Sequence, residues 1–277
     1  MMTWKGTPPP KGSPPGLSGW LRVGLRGGAL LLLLGICFAL LLLLRLPERA
    51  MFGLNRPVTP VITQFVCIRA CRILGLSREV RGTPMPQRGA LVANHVSWLD
   101  IFVLNASKCV YFVAKSDIRE WGGIGWLARG TGTLFIARRR GDARAQHSQF
   151  KVRLQAGHTL LFFPEGTSTD GMQVLDFKST LFAAFFSEDL APALAIQPVT
   201  LRYFAPGGED PRFYGWWGDM EFGPHLLRML AVPRHGRVVV TYHAPLAVSA
   251  YRDRKALARA AEAAVRAGFG KAVSSGG

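Results

Sequence analysis

The stretch Gly89-Ala90-Leu91-Val92-Ala93-Asn94-His95-Val96-Ser97-Trp98-Leu99-Asp100 joins a short apolar run to a polar loop and the start of a second apolar segment. The run 89–93 predicts a buried strand. His95 and Asp100 are five positions apart, which on one straight helix corresponds to directions that differ by roughly 140°. They can meet only where the backbone bends. The spacing therefore predicts a strand, a loop that carries His95, and a helix with Asp100 in its first turns.

A histidine paired with a carboxylate in this way is suited to proton transfer. A neutral imidazole accepts a proton from a hydroxyl group, and a carboxylate on the other ring nitrogen fixes the tautomer and stabilises the imidazolium that forms. The pair His95 and Asp100 is therefore a candidate general base with its orienting acid.

A second polar loop follows the apolar run 158–163. Its sequence, Phe162-Phe163-Pro164-Glu165-Gly166-Thr167-Ser168-Thr169-Asp170-Gly171, is rich in N–H and hydroxyl donors. Open α/β sheets bind ligands at the carboxyl ends of their strands, where this loop is expected to lie. An Asx-type turn that caps the next helix would explain Asp170-Gly171, but it would not explain Pro-Glu-Gly-Thr at the strand exit.

The two loops together resemble the glycerolipid acyltransferase family, whose best-known members are the 1-acylglycerol-3-phosphate acyltransferases. Candidates for the four sequence blocks of that family occur in order between Arg88 and Tyr203: Asn94 to Asp100, Gly132 to Arg138, Phe163 to Thr167, and Ile196 to Val199. The resemblance implies that His95 and Asp100 are catalytic. It further implies an acceptor site formed by Phe135, Arg138, Glu165, Gly166, Thr167 and Lys178. For Glu165 the resemblance leaves two roles open, a hydrogen bond to acceptor hydroxyls or ordering of the loop.

Two positions depart from the family pattern. The third block usually continues Glu-Gly-Thr-Arg, with an arginine that is thought to help bind the acceptor's phosphate, but here Ser168 follows Thr167. The family's Phe-Lys-x-Gly is also altered, because Thr180 replaces the glycine. The variant Glu-Gly-Thr-Ser-x-Asp-Gly resembles acyltransferases that act on lyso-ornithine lipid, which has no phosphate head group.

Composition indicates an anionic partner. The 277 residues are 49% hydrophobic and carry a formal net charge of +17. Such a surface favours nucleic acid, anionic lipid head groups or an acidic carrier protein. The sequence has no zinc-finger spacing, aromatic RNA-binding signature or clear helix-turn-helix, so nucleic acid is excluded as a partner and anionic membrane lipids are favoured.

The N-terminus predicts attachment to a membrane. Residues 1–26 are expected to form a disordered basic segment, and 27–46 a transmembrane anchor, because Gly27 to Leu44 is a run of uncharged residues close to the roughly 20 that span a bilayer. A cleaved signal peptide is the alternative, but no small-x-small cleavage site follows the run. Since activated acyl donors are made in the cytoplasm, the family chemistry implies an inner (cytoplasmic) membrane with the catalytic domain on its cytoplasmic side.

The remaining pattern predicts an α/β fold, a layered sheet with flanking helices of the glycerol-3-phosphate acyltransferase type. A membrane-proximal or core helix is expected at 58–76, the acyltransferase domain at 77–250, and a basic C-terminal helix and tail at 251–277, with a solvated surface helix favoured there. The predicted strands are 89–94, 109–114, 133–137, 158–163, 194–203 and 237–243. The predicted helices are 98–106, 121–129, 142–156 with Asp142 as N-cap, 177–188, 223–230 and 252–268.

The expected reaction is direct acyl transfer from acyl-CoA or acyl carrier protein to a lysophospholipid acceptor, without a metal or bound cofactor. N–H groups near Gly166 and Thr167 are the candidate oxyanion donors. Lysophosphatidic acid is the favoured acceptor, because it is the commonest in the family. Lyso-ornithine lipid and a non-enzymatic lipid-binding scaffold remain alternatives. A serine hydrolase built on Ser97 is not favoured, since the chain has no Gly-x-Ser-x-Gly elbow.

Overall fold

The computed structural model describes residues 4–10, 12, 14–136, 143–186 and 191–274, without the side chains of 143–147 and 271–274. Within these ranges an eight-stranded mixed sheet forms the centre of the molecule. The strands are β1 (Ser77–Arg81), β2 (Gly89–Ala93), β3 (Tyr111–Lys115), β4 (Leu134–Ile136), β5 (Leu160–Phe162), β6 (Ala195–Phe204), β7 (Arg237–Tyr242) and β8 (Leu246–Ala247).

The strands lie in the order β1-β7-β6-β2-β5-β3-β4, and β8 also pairs with β6. Neighbours are parallel except that β7 and β8 both run antiparallel to β6. β2 is central and every one of its residues is buried, which its uninterrupted apolar sequence requires. The carboxyl ends of β2, β5 and β3 therefore meet at one edge of the sheet.

Pro198 lies in β6 at the break between the two antiparallel partners. β7 pairs with residues 199–204 of β6 and β8 with 195–196. The side chain of Gln197 bridges the break by donating to the carbonyl oxygens of Thr83 (2.9 Å) and His243 (2.8 Å). A proline, which has no N–H to donate, is thus accommodated in the middle of a long strand.

Helices cover both faces of the sheet. They are α1 (Leu17–Phe52), α2 (Thr59–Leu74), α3 (Leu99–Ser107), α4 (Gly122–Thr131), α5 (Ala143–Gln155), α6 (Phe222–Ala231) and α7 (Arg254–Ser274). Alternate residues of β2 point to opposite faces: Leu91 packs in a core with α2, α3 and α6, whereas Ala90 and Val92 pack in a second core with α5 and α7. The result is a three-layer α/β/α arrangement.

Helix α1 is the one helix within the described ranges that is long and apolar enough to cross a membrane. Its N-terminal part is tied to the C-terminus of α6, because Arg22 donates to the Ala231 carbonyl (2.7 Å) and Arg26 to that of Val232 (2.6 Å). Near its other end, Glu48 accepts hydrogen bonds from the N–H and hydroxyl of Thr59, at the start of α2. Both ends of α1 therefore contact the same domain.

The chain before α1 departs from the expected disorder. The helix begins at Leu17, ahead of the predicted anchor boundary at residue 27, so residues 17–26 are helical. Residues 4–8, which we call the N-terminal strap, lie against the segment 210–218. The Trp217 indole donates to the Thr7 carbonyl (3.2 Å), and Arg212 donates to the Thr7 hydroxyl (2.8 Å). Composition alone predicted disorder here, because it does not register these distant partners.

The six predicted strands are confirmed to within two residues at both ends, while the short strands β1 and β8 were not predicted. The predicted helix 177–188 is wrong: Leu181–Phe185 forms a 3-10 turn, in which Phe182 and Phe185 are fully buried. The predicted N-cap Asp142 and residues 187–190 lie outside the described residues. Helix α2 is a core helix on one side, where Val66, Ala70 and Leu74 are buried. Val61 and Phe65 are exposed on it, and the expected contact of α2 with the membrane stays a prediction.

The C-terminal helix also differs from expectation. We predicted a solvated surface helix, but α7 packs against the sheet and buries Leu257, Ala261 and Val265 completely. Glu262 accepts a hydrogen bond from the Phe177 N–H (2.8 Å), which ties α7 to the segment after the second polar loop. The Ala-rich sequence did not predict this packing. The packing is possible because small side chains allow a helix to lie close to a sheet.

Candidate active site

Two loops come together where β2 and β5 end. These strands are parallel neighbours, with Val92 opposite Phe162, so the loop after β2 and the loop after β5 leave the sheet side by side. The first loop carries His95 and leads into α3, and the second carries Glu165 to Gly171. The two polar segments of the sequence thus form one site at the carboxyl edge of the sheet, where α/β folds place their ligands.

His95 and Asp100 form the predicted pair. Nδ1 of His95 lies 2.8 Å from Oδ2 of Asp100, which is in the first turn of α3. The Asp100 side chain is completely buried, whereas the His95 side chain is 20% exposed. Because Nδ1 is engaged by a carboxylate, it carries the proton, and Nε2 is the nitrogen with the free lone pair. The geometry is that of a general base held by an acid.

The Asp100 carboxylate has three further hydrogen-bond donors. Oδ2 accepts from the N–H groups of Val96 (2.8 Å) and Ser97 (3.1 Å), and Oδ1 accepts from the Tyr203 hydroxyl (2.7 Å). A buried carboxylate is tolerated when it is fully hydrogen-bonded. Here the donors also fix the bend in the loop, since Asp100 binds the two residues that directly follow His95.

The carboxylate of Glu165 joins the two loops by hydrogen bonds. Its Oε2 accepts the main-chain N–H of His95 (2.9 Å), and its Oε1 accepts that of Leu175 (2.9 Å). Burial raises the pKa of Glu165 to about 8, although the two N–H donors act in the opposite direction. The sequence left open whether this residue bonds the acceptor or orders the loop, and the observed contacts are those of loop ordering.

The plane of the His95 ring is fixed by stacking on Phe163. The ring centroids are 3.9 Å apart and the planes differ by 11°. The His95 carbonyl accepts a hydrogen bond from the Thr169 N–H (3.0 Å), so the second loop also holds the backbone of the first. His95 is thereby restrained at its ring, its N–H and its carbonyl.

Gly166 and Lys178 lie next to each other. Gly166 has a φ of +71°, a conformation that favours glycine, and its N–H donates to the Phe163 carbonyl (3.0 Å). A Cβ at this glycine would lie 3.0 Å from Nζ of Lys178, so the ammonium group sits directly over the turn. The Gly166 N–H is occupied by the turn, so of the two predicted oxyanion donors the Thr167 N–H is the remaining candidate.

Ser168, which stands where the family usually has arginine, is hydrogen-bonded within the protein. Its hydroxyl donates to the Trp216 carbonyl (2.5 Å) and so joins the second loop to the segment 210–218. Next to it, the Thr167 hydroxyl accepts a hydrogen bond of 3.4 Å from the main-chain N–H of Trp4, which belongs to the N-terminal strap. The strap therefore reaches the acceptor loop itself.

The first loop is also attached to α6. The Trp98 indole N–H donates to Nδ1 of His225 (2.9 Å), and Trp98 packs edge-on against Phe222. Burial lowers the pKa of His225 to about 4, which keeps this imidazole neutral and able to accept the indole proton. Trp98, at the end of the first loop, is thus held against α6.

The second block is separated from the catalytic pair. Phe135 lies on β4, and β3 and β5 stand between β4 and β2. Phe135 lines a cavity of about 430 Å³ together with Arg119, Arg129 and Arg153, and none of His95, Asp100 or Glu165 lines it. The structure therefore brings together His95, Asp100, Glu165, Gly166, Thr167 and Lys178 but not Phe135, and Arg138 lies outside the described residues.

Two residues of the site were missed by sequence reasoning. Tyr203 reaches Asp100 from β6 across 103 residues of chain. Asn94 was quoted in the first block without a role, and its side chain bonds both the N–H (2.8 Å) and the carbonyl (2.9 Å) of Leu201. No local pattern pointed to Tyr203, because its part in the site depends on the register of β6 beside β2.

Comparison with known sequences identifies the family of this chain. A family model described as Acyltransferase matches residues 77–202. A lyso-ornithine lipid O-acyltransferase of Rhodobacter capsulatus is 54% identical over 97% of this chain and 97% of its own length. A protein of the same name from Pseudomonas aeruginosa is 37% identical over 89% of this chain and 93% of its own length. The 1-acyl-sn-glycerol-3-phosphate acyltransferase of Neisseria gonorrhoeae is 37% identical, but over 50% of this chain and 54% of its own length.

Comparison with solved structures agrees with the fold. The 1-acyl-sn-glycerophosphate acyltransferase of Thermotoga maritima superposes with a TM-score of 0.56 at 20% identity, covering 89% of this chain and 97% of that one. The layered α/β fold expected from the sequence is thereby confirmed.

Proposed function

This chain belongs to the acyltransferase family, and we propose that it transfers a fatty acyl group to the free hydroxyl of lyso-ornithine lipid. The resemblance to this family is confirmed, and an acyltransferase that acts on lysolipids follows from the family and its relatives. A non-enzymatic scaffold is no longer favoured, because the chain has the family's His–Asp pair and the two side chains meet, with Nδ1 of His95 2.8 Å from Oδ2 of Asp100.

Ser168 is the observation that carries the choice of acceptor. Its hydroxyl is bonded to the Trp216 carbonyl, so the position usually held by a phosphate-binding arginine contributes no cation here. An acceptor without phosphate does not require that cation. The relatives that match this chain over nearly its whole length are named as lyso-ornithine lipid acyltransferases, which supports the same acceptor.

The proposed mechanism needs only the groups described above and a thioester. Nε2 of His95 takes the proton of the acceptor hydroxyl as its oxygen attacks the thioester carbonyl, while Asp100 stabilises the imidazolium. The Thr167 N–H stabilises the tetrahedral oxyanion. The carbon–sulfur bond then breaks, and His95 returns the proton to the leaving thiolate. General base catalysis of this kind accelerates a reaction about 10²–10⁴-fold.

The thioester is carried by acyl-CoA or by acyl carrier protein, and we propose no metal or resident cofactor. Either donor is anionic, which suits a chain with a net charge of +17. We propose that Lys178 binds the carboxylate of the ornithine head group, and the position of its ammonium over the Gly166 turn supports this role. Arg138 was expected to share this role from the sequence, and that expectation stays a prediction.

Lysophosphatidic acid, the acceptor that the sequence favoured, is the second candidate. The ammonium of Lys178 would bind a phosphate as readily as a carboxylate. Relatives with that named activity match about half of the chain.

We further propose that α1 attaches the enzyme to the cytoplasmic face of the inner membrane. Its exposed side chains include Leu31, Leu32, Ile36, Leu40 and Leu43, which provide a continuous apolar surface for lipid. The acceptor is itself a membrane lipid, so attachment places the site where its substrate is.

The test of this proposal is a comparison of acceptors. Detergent-purified protein is offered lyso-ornithine lipid and lysophosphatidic acid separately, each with acyl-CoA and with acyl carrier protein loaded with the same chain. We expect a higher kcat/KM for lyso-ornithine lipid. A preference for lysophosphatidic acid would reverse the choice of acceptor, and turnover of neither by folded protein would refute the proposed function.

A further inference from the structure

Tyr203 is the one side chain outside the two loops that bonds the catalytic pair, within the part of the chain that the structure describes. Its hydroxyl donates to Oδ1 of Asp100 at 2.7 Å, while His95 binds Oδ2 of the same carboxylate. We propose that Tyr203 is a positioning residue of the acyl transfer: it locks the Asp100 carboxylate in the orientation that keeps Nε2 of His95 directed at the acceptor hydroxyl.

The position of Tyr203 is set by the strand that carries it. Leu201 and Tyr203 are two residues apart on β6, so their side chains point to the same face of the sheet. The side-chain amide of Asn94 accepts a hydrogen bond from the main-chain N–H of Leu201 and donates one to its carbonyl oxygen. Since Asn94 directly precedes His95, the register of β6 is fixed to the loop that carries the base, and Tyr203 is held beneath that loop.

The hydroxyl is not needed to fill space. The ring of Tyr203 packs against Tyr214, with centroids 5.2 Å apart, inside the core that contains α3 and α6. A phenylalanine would fill the same volume without placing a polar atom in an apolar core, where an unpaired hydroxyl is unfavourable. The partner of the hydroxyl is the catalytic carboxylate. Burial and the neighbouring Asp100 raise the pKa of Tyr203, so it stays a donor throughout the working pH range.

The alternative is that the hydroxyl only satisfies a buried carboxylate and supports the fold. The two roles differ in what they affect. Without the Tyr203 donor, Oδ2 keeps its two N–H donors but Oδ1 loses its partner, so the carboxylate can rotate and its charge acts more strongly on His95. A positioning role therefore predicts changes in kcat and in its pH profile, while a purely structural role predicts a change in stability alone.

The experiment compares Tyr203→Phe with Tyr214→Phe in the full-length protein. Tyr214 is a matched control: it is buried in the same core, and its hydroxyl bonds the Gly236 N–H (2.8 Å) rather than the catalytic pair. Tyr203→Phe should lower kcat about ten- to a hundredfold with little change in the KM of the acceptor, which is the effect typical of losing a hydrogen bond to a charged group. Its kcat profile should rise at higher pH than that of wild type, because the carboxylate holds the imidazolium more tightly.

Equal kcat values and pH profiles for the two variants would overturn the proposal, as would a Tyr203→Phe loss confined to KM or to thermal stability. If Tyr203→Phe does not fold, Tyr203→3-fluorotyrosine provides the test, since it keeps the ring and strengthens the donor. The acid limb should then move to lower pH, and an unmoved limb would overturn the proposal. Each comparison is a ratio to wild type on whichever lysolipid is turned over, so its outcome is independent of the acceptor proposed above.

Discussion

The main-chain N–H of His95 donates a hydrogen bond of 2.9 Å to Oε2 of Glu165, which lies 70 residues further along the chain. The bond joins the loop after β2 to the loop after β5. The proposed base is thus held in place by the segment that also provides Gly166 and Thr167. The first and third blocks of the sequence form one structural unit, and the contacts of Glu165 are those that hold this unit together.

The first prediction concerns Glu165 and pH. Burial raises the folded-state pKa of this residue to about 8, above its ordinary value of 4.5. A carboxyl with a raised folded pKa contributes most to stability below the unfolded pKa, and that contribution is lost as pH rises through the folded pKa. Glu165→Gln does not titrate. Wild type should therefore lose stability relative to Glu165→Gln as pH rises from about 5 to about 9. Thermal unfolding at several pH values measures this, and a difference that does not change with pH would contradict it.

The second prediction concerns acceptor choice. Ser168→Arg should increase kcat/KM for lysophosphatidic acid relative to lyso-ornithine lipid by about tenfold or more, because a guanidinium forms charge-assisted hydrogen bonds with a phosphate. Ser168→Ala is the control, since it removes the hydrogen bond to Trp216 without adding a cation. If both variants change the acceptor ratio equally, the cation at this position does not select the acceptor.

The third prediction concerns the N-terminal strap. The rings of Trp4 and Trp217 pack together, with centroids 6.2 Å apart. The main-chain N–H of Trp4 donates a hydrogen bond to the hydroxyl of Thr167 in the acceptor loop. Deletion of residues 2–8 removes the contact of Trp4 with Thr167 in the acceptor loop, so the KM of the acceptor should rise several-fold. The deletion leaves the bond between His95 and Asp100 intact, so kcat should change little. Trp20→Ala, which alters an exposed tryptophan on α1, is the comparison. A deletion variant with wild-type KM would show that the strap has no part in acceptor binding.

The fourth prediction concerns α1 and the membrane. The two ends of a helix that crosses a bilayer are separated by a hydrocarbon core of about 30 Å and face opposite sides. In this structure, Arg22 and Arg26 at one end and Glu48 near the other all contact the same domain. We therefore expect α1 to lie along one face of the membrane rather than to cross it.

Single cysteines placed at Gly16 and Gly53, in a variant without the native cysteines, measure this arrangement in proteoliposomes. Both should react with an impermeant thiol reagent from the side that carries the catalytic domain. Labelling of one position from each side would support the transmembrane anchor that the sequence alone predicted.

Much of the site could be predicted because its chemistry is local in sequence. The pair His95 and Asp100 is separated by one loop, and the apolar runs before each polar loop mark buried strands directly. Parallel pairing then places strand ends together without further information. The alternation of strands and helices sufficed for the α/β class for the same reason.

The rest depends on contacts that the sequence does not record. Tyr203 reaches Asp100 only because β6 lies next to β2 in one register. The N-terminal strap is ordered by Arg212 and Trp217, about 200 residues away, which the composition of the strap could not predict. The predicted helix at 177–188 is wrong because apolar residues at helical spacing can also be buried by a short 3-10 turn. Phe182 and Phe185 are buried in this way.

The central claim is that Nε2 of His95 takes the proton of a lysolipid hydroxyl. Acyl transfer by wild type and by His95→Ala, with lyso-ornithine lipid and a long-chain acyl thioester, tests it most directly. Binding of the acceptor and the thermal unfolding curve serve as controls for a folded site. We predict that His95→Ala binds the acceptor but loses at least about 10²-fold in kcat. A folded His95→Ala variant with turnover near that of wild type would contradict it.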